Sequence, residues 1–379
     1  MQICFFGTYA VAEGYPVNRV LVKGARLAGA SVVECREELW GPSLYRAYRG
    51  SKLRLALRLA WRMPAAYLRL AWQFWRRGSA DWVIVGYAGY LDIHLARLLC
   101  LGRKRRLALV SFISLFDTLV RDRAVVAEDS WRARCIWLVD RMAFRAADVV
   151  LVDTEEQGKY YADLFRLPRE LFVRSLVGED DGDFPPAPPT TREGAMEVLF
   201  YGTYVPLHGI DTILEAAEIV GEDSGVHFTL IGSGQLHGQL RSQAEARGLG
   251  YIRFVDTWVS PRDLSAHIAE ADVCLGIFGT TPKAARVVPY KVYDALAVGR
   301  PVITRDSPAA RELLAHGRSA ILCEAGSGRA LAAAILQLRD DPEMRLQLAA
   351  DGHQVYRERG CPVAIGRELV ANLGRWSRE

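Results

Sequence analysis

Residues 285–304 read ARVVPYKVYDALAVGRPVIT, and they set the architecture of the chain. A polar, basic loop leads into a short helix, a Gly-Arg-Pro break and a buried strand. Pro289 suits the first helical position, where its missing N–H is no loss. Val292, Ala295 and Leu296 fall at i, i+3 and i+4, so one helix face is apolar. Gly299 fits the left-handed residue that ends a helix, and Pro301 blocks continuation. Arg286, Lys291 and Asp294 remain at or near the helix start. Cations beside helix N–H groups suit phosphates and a carboxylate suits ribose hydroxyls, so the grouping points to a nucleotide diphosphate.

The helix–strand alternation extends both ways from this stretch. Upstream, residues 196–202, 227–234, 251–256 and 272–278 read as strands, with helices at 209–220 and 261–270. Downstream, 301–304 and 320–323 are the last strands, followed by two helices and a closing helix at 361–379. In the N-terminal half, 1–7, 31–35, 81–86, 107–113 and 148–153 read as strands and 17–29 as a helix. Continuous Val/Ile/Leu runs separated by helices indicate parallel sheets covered on both faces. Ligands of such sheets bind beyond the carboxyl ends of the strands. The tract 178–195, GEDDGDFPPAPPTTREGA, breaks the pattern with acids and prolines and reads as a linker. Its Asp181-Gly182-Asp183 is formally a D-x-D, but a Pro-rich linker is a poor setting for a metal. The expected organisation is an N-terminal Rossmann-like domain over 1–180, a linker over 181–195 and a second Rossmann-like domain over 196–360. The helix at 361–379 is expected to return to the first domain.

Composition excludes more than it identifies. Half of the 379 residues are apolar and 24% are charged, as in ordinary globular proteins, and a net charge of +4 carries no nucleic-acid signature. Only six of the 48 basic residues are Lys, so Lys283 and Lys291, close together, carry more weight than any single Arg. Seven scattered Cys without a C-x-x-C read as free thiols in a reducing compartment, hence a cytoplasmic setting. The first residues, MQICFFG, form a strand rather than a leader, and no run is long and apolar enough to span a bilayer. Gly232-Ser233-Gly234 follows a strand, yet position 237 is His, so the dinucleotide fingerprint fails and NAD is not expected.

The stretch DALAVGRPVIT and the Gly turn after residues 196–201 resemble the retaining GT-B glycosyltransferases of family four, the glycosyl transferases group 1. The resemblance covers about 196–358 well and the N-terminal half loosely. It implies an α/β GT-B fold, two Rossmann-like domains facing across a cleft, with the donor held by the second domain. It also implies metal-independent hexosyl transfer (EC 2.4 type) with retention, no cofactor, and a UDP- or GDP-linked sugar as co-substrate. Asp294 stands where the family places the second acid of its E-x7-E element, the one that grips the donor ribose. Arg286 stands at the first acid, a departure. The family's Gly-Arg becomes Gly202-Thr203 and its Lys-Gly becomes His208-Gly209, so both customary diphosphate cations are absent. Lys291, Arg286 and Lys283 are then the candidates to neutralise the leaving group, with Pro289, Tyr290 and Gly232 shaping the donor pocket.

Other candidates come from the N-terminal half. Asp117 follows the fourth strand and could accept a proton from the acceptor hydroxyl, or simply cap the next helix. Tyr9, Asn18 and Arg19 lie near the end of strand one and could meet donor or acceptor. Residues 43–77 hold nine basic side chains and no acid. Arg54, Arg58, Arg62, Arg69 and Arg76 form a helical stripe there, accompanied by Trp61, Trp72 and Trp75. Such a segment suits peripheral contact with a membrane surface, although a solvated Arg-rich face would look similar. Pro64 is expected to divide it into two helices. The acceptor is then a glycan or glycolipid, lipid-linked, in cell-envelope or polysaccharide assembly at the cytoplasmic face. The rival functions are a nucleotide-sugar epimerase on the same fold and a non-catalytic GT-B binding module.

Overall fold

The computed structural model describes residues 1–11, 16–39, 52–77, 80–102, 104–190, 194–257 and 259–376, with no side-chain description for 52–60. They form two compact units: 1–177 with the C-terminal helix from Pro362, and 178–361.

The first unit is a six-stranded parallel sheet. Its strands are β1 (Gln2–Gly7), β2 (Ser31–Arg36), β3 (Trp82–Val85), β4 (Arg106–Val110), β5 (Val149–Val152) and β6 (Phe172–Arg174), in spatial order β2-β1-β3-β4-β5-β6. The interior strands are buried on both faces, which is why they read as unbroken apolar runs. Helix α1 (Pro16–Leu27) covers one face. Helices α2 (Lys52–Arg77), α3 (Asp92–Cys100), α4 (Trp131–Ala146) and α5 (Glu155–Phe165) follow strands that step the other way, and right-handed crossovers place them on the opposite face. The last helix of the chain, Pro362–Trp376, packs on α1. Gly24 and Gly366 set how closely: a Cβ on Gly366 would lie 1.9 Å from the Gly24 carbonyl oxygen.

Two expectations change here. Pro64 lies inside a continuous α2 rather than dividing it. It sits on the exposed side, where the carbonyl it leaves unpaired one turn back can bind water. β6 was not legible as a strand: it is three half-buried residues at the sheet edge.

The second unit repeats the plan with β7 (Met196–Tyr201), β8 (Val226–Ile231), β9 (Arg253–Val255), β10 (Val273–Leu275), β11 (Val302–Arg305) and β12 (Ile321–Cys323), in order β12-β11-β10-β7-β8-β9, all parallel. Helices α6 (Ile210–Val220), α7 (His237–Ala246), α8 (Pro261–Glu270), α9 (Tyr290–Val298), α10 (Pro308–Leu313), α11 (Gly328–Asp340) and α12 (Pro342–Val355) surround it. Ser260, Ser307, Ser327 and Asp341 each cap a helix by accepting a backbone N–H three residues on. Gly299, at φ +80°, ends α9, and the Arg300 N–H closes onto the Ala295 carbonyl at 2.8 Å.

The tract read as a linker is built into this unit at both ends. Glu179, Asp180 and Phe184 are buried. The Glu179 N–H donates to the Gly360 carbonyl at 3.1 Å, and the Tyr356 hydroxyl donates to the Glu179 carbonyl at 3.0 Å. Further along, the buried Arg300 guanidinium donates to the Pro188 and Ala269 carbonyls at 2.7 and 2.6 Å. A tract whose acids and prolines read as solvated is therefore held by backbone and side-chain partners far away in sequence.

No described helix is long and apolar enough to cross a membrane. The described residues hold no group of three or more His, Cys, Asp or Glu arranged for a metal ion.

Candidate functional site

The second unit gathers most of the donor candidates at the carboxyl end of β7. Tyr201 closes that strand, and its buried hydroxyl lies 3.0 Å from both the Lys291 carbonyl oxygen and Asp294 Oδ2. It can donate to only one at a time. Lys291 and Asp294 lie one turn apart in α9, a helix buried on every side from residue 291 to 298. Burial of this kind has one consequence for a neutral side chain and another for a charged one.

Lys291 is 6% exposed, and its ammonium has no hydrogen-bond partner among the described residues. It lies 4.0 Å from the centre of the Phe200 ring, an aromatic face that offsets part of its charge. Burial pushes its pKa well below the usual lysine value, and the Asp294 carboxylate only partly opposes this. Asp294 is 5% exposed. Its pKa is pushed well above the usual carboxylate range by burial and next by the charge of Glu179. Glu179 therefore belongs to this group.

Gly202 opens the space in front of these groups. At φ +139° it holds a conformation open to glycine, and a Cβ there would lie 3.0 Å from Lys291 Nζ and 3.1 Å from His208 Cε1. Gly232, at φ +142°, is tighter: its Cβ would fall 2.0 Å from the Gly202 carbonyl oxygen. The missing side chains bring the ends of β7 and β8 together. His208 lies in the half-buried turn Pro206–His208, with Nδ1 bonded to the carbonyl of exposed Thr203. Burial and then the Lys291 charge hold its pKa well below the usual value, so the imidazole is neutral at physiological pH.

The remaining donor candidates lie just before α9. Pro289 stands at the N-cap rather than inside the first turn, and Tyr290 begins the helix half-buried. Lys283 is buried, and Arg286, half-buried, donates its N–H to the Lys283 carbonyl at 2.9 Å. The structure thus joins Lys291, Asp294, Gly202 and His208 in one place and adds Phe200, Tyr201 and Glu179. Tyr201 carried a signal, the aromatic before the Gly turn. Glu179 carried none, because its tract looks like solvated linker.

The first unit gives its candidates other duties. Asp117 opens a π-helical turn after β4 and caps no helix with its side chain. It is 1% exposed, and its carboxylate accepts a hydrogen bond from the Tyr160 hydroxyl at 2.9 Å, so an acceptor hydroxyl does not reach it without movement of the turn. Behind it, Asp140 accepts from the Ser114 hydroxyl at 2.6 Å and the Phe116 N–H at 2.8 Å, and burial holds its pKa up at about 6. Tyr9 is buried with its hydroxyl 3.2 Å from Glu34. Asn18 ties two loops together: its amide donates to the Ala10 carbonyl and its oxygen accepts the Tyr87 N–H at 2.7 Å. Arg19 is half-buried. A carboxylate missed in the sequence, Asp92, accepts from the Thr8 N–H and hydroxyl and from the Tyr67 hydroxyl, fixing α2 to the end of β1.

In α2, Trp61, Arg62, Arg69, Trp72 and Trp75 are exposed. Arg54 and Arg58 belong to the helix, but their side chains, like residues 43–51, lie outside the described residues.

Comparison with known proteins places this geometry in context. Residues 195–341 match the family model described as glycosyl transferases group 1. The chain is 26% identical over 200 residues to the lipopolysaccharide core biosynthesis glycosyltransferase LpsD of Rhizobium meliloti (strain 1021), covering 48% of this chain and 51% of that protein. It is 32% identical over 185 residues to the phosphatidyl-myo-inositol mannosyltransferase of Mycobacterium leprae (strain TN), covering 47% of each. The chain thus spans about half the length of these two curated relatives. The crystal structure of Anabaena HepE in complex with UDP and glucose superposes with a TM-score of 0.67 at 15% identity, covering 99% of this chain and all of that one. The two six-stranded Rossmann-like units are those of the GT-B fold.

Proposed function

We propose that the chain transfers a hexosyl group from a nucleotide diphosphate donor, UDP- or GDP-linked, to an acceptor hydroxyl. One observation carries this reading: a buried ammonium, Lys291, has no hydrogen-bond acceptor and faces the Gly202 turn one helical turn from a carboxylate. An anion at that turn would supply the partner that the protein does not. The match of 195–341 to the glycosyl transferases group 1 model and the UDP-bound structural neighbour support a nucleotide sugar as that anion's source.

In the proposed step the bond between the anomeric carbon and the diphosphate oxygen breaks, and the carbon bonds to the acceptor oxygen on the same face. The acceptor proton passes to the departing diphosphate, so configuration is retained without a covalent protein intermediate. Lys291 neutralises the leaving group, with Arg286 and Lys283 as auxiliary cations, and no metal is required. Asp294, positioned by Tyr201 and Glu179, takes the ribose hydroxyls. Asp117 holds the turn after β4.

The acceptor in this reading is a lipid-linked glycan or glycolipid, reached at the cytoplasmic face of a membrane by peripheral contact through 43–77. The exposed Trp and Arg side chains of α2 support it. The test is transfer of labelled sugar from UDP- and GDP-sugars into lipid-extractable product in EDTA, with the anomeric configuration read by NMR. Retained configuration in EDTA is the expected result. Conversion of the donor without acceptor would favour the epimerase, and a strict need for a divalent ion would remove the metal-free mechanism.

A further inference from the structure

Three neighbouring helices of the first unit carry the same unusual outer face. In α2, Ala66, Leu70 and Phe74 turn to the sheet, and the opposite side exposes Trp61, Leu68, Trp72 and Trp75, at i, i+7, i+11 and i+14. In α4, Ala133, Ala143 and Phe144 turn inward, and Trp131, Leu138 and Met142 are exposed at i, i+7 and i+11. Between them α3 packs against both helices, and Leu98 and Leu101 are exposed on and just after it. Four of these residues are at least 70% exposed: Trp61, Leu68, Trp75 and Trp131. An outer helix face is ordinarily polar, and a contiguous apolar one marks a surface that meets something.

The charge pattern says what it meets. The three helices contain two acids, Asp92 and Asp140, and both are buried. The described charges on the outer face are therefore basic, among them Arg62, Arg69, Arg76, Arg132, Arg134 and Arg145. Arg76 stacks on Trp72 at 4.7 Å and Arg132 on Trp131 at 5.7 Å, a pairing of ring and guanidinium suited to the headgroup level. Arg69 reaches Glu37 at 3.4 Å but stays largely exposed. A second protein with an acidic groove would need aromatic-sized pockets at matching intervals. A bilayer with anionic headgroups needs only apolar depth and negative charge.

We propose that the outer faces of α2, α3 and α4 together form a docking surface for an anionic lipid bilayer, with the Trp and Leu side chains seated below the headgroups and the Arg side chains among them. The proposal deepens the lipid-acceptor reading above by naming the surface and its charge, and rests on that reading only for its purpose. Mere contact through α2 would leave α3 and α4 in water.

The test is flotation of the full chain with vesicles of phosphatidylcholine alone and of phosphatidylcholine with phosphatidylglycerol. Binding to the anionic vesicles at least about tenfold above the neutral ones, weakening with salt, is expected. Two variants divide the surface: Trp61→Ser/Trp72→Ser/Trp75→Ser on α2, and Trp131→Ser/Leu138→Ser on α4. Each should reduce binding by about tenfold or more while nucleotide-induced thermal stabilisation stays as in the parent chain. These side chains are exposed, so folding is preserved and the nucleotide response reports it. Equal binding to neutral vesicles, no binding to either, a face consumed by self-association on sedimentation, or an α4 variant that binds like the parent would each overturn the three-helix surface. Loss of the nucleotide response in the parent chain would instead count against the donor site and leave the flotation result standing.

Discussion

The ammonium of Lys291 sits 4.0 Å from the centre of the Phe200 ring, buried and without a hydrogen-bond acceptor among the described residues. A buried charge in this state weakens the empty protein and strengthens it toward an anion. Lys291→Met keeps an unbranched side chain, one atom shorter, and removes the charge. The unliganded variant should be more stable than the parent by about 1–3 kcal/mol, and the stabilisation by UDP or GDP should vanish. Calorimetric unfolding with and without nucleotide measures both. A variant that is less stable and still responds to nucleotide would contradict this role.

The same burial gives binding a direction with pH. Lys291 titrates well below its ordinary value in the folded, empty protein. The unfolded chain keeps the ordinary value and binds more protons in that window, so the stability of the empty protein rises with pH across it. A diphosphate favours the charged amine, so nucleotide binding takes up a proton there and affinity falls as pH rises. Titration calorimetry in buffers of different ionisation enthalpy reads the uptake. Lys291→Met should abolish both slopes.

Gly202 and Gly232 should respond differently to alanine. Both have positive φ, but the first meets the movable ends of Lys291 and His208 and the second meets the Gly202 backbone. Gly202→Ala is expected to fold, at a cost of about 1–3 kcal/mol, and to lose nucleotide affinity because Lys291 must shift. Gly232→Ala is expected to unfold the unit or leave little of it. Circular dichroism and thermal melts of the pair separate the cases.

Asp294 and Glu179 make a buried carboxyl pair in which burial and mutual charge raise the Asp294 pKa. In the unfolded chain both ionise near about 4. The folded state holds a proton that the unfolded state has released, so this pair lowers stability as pH rises from there through the folded-state pKa of Asp294. Glu179→Gln removes the neighbouring charge, lowers that pKa and should flatten the decline in melting temperature as pH rises above about 4. An unchanged profile would place Glu179 outside the pair.

Much of the fold was legible because its signals are local. Gly299 and Pro301 stop α9 within a few residues, and the interior strands are continuous apolar runs because both faces are covered. The Gly turn after β7 and the Lys291–Asp294 spacing were also visible. What was not visible depends on distant partners. Glu179 is placed by Gly360 and Tyr356, which no window around it contains. Asp117 lies beyond its strand as the alternation requires, yet its carboxylate is turned inward to Tyr160, a matter of side-chain packing that spacing does not encode. Pro64 survives within α2 because its side of the helix is exposed, which depends on how the helix lies on the sheet.

The most direct test of the donor site is titration calorimetry of the full chain with UDP and with GDP, in EDTA, for the parent, Lys291→Ala and Asp294→Ala. The parent is predicted to bind one of the two nucleotides without metal. Lys291→Ala is predicted to lose most of that affinity, and Asp294→Ala to weaken nucleotide binding while leaving inorganic pyrophosphate binding in place. A parent chain that binds neither nucleotide, or variants that bind as the parent does, would contradict a diphosphate site at Lys291 and Asp294.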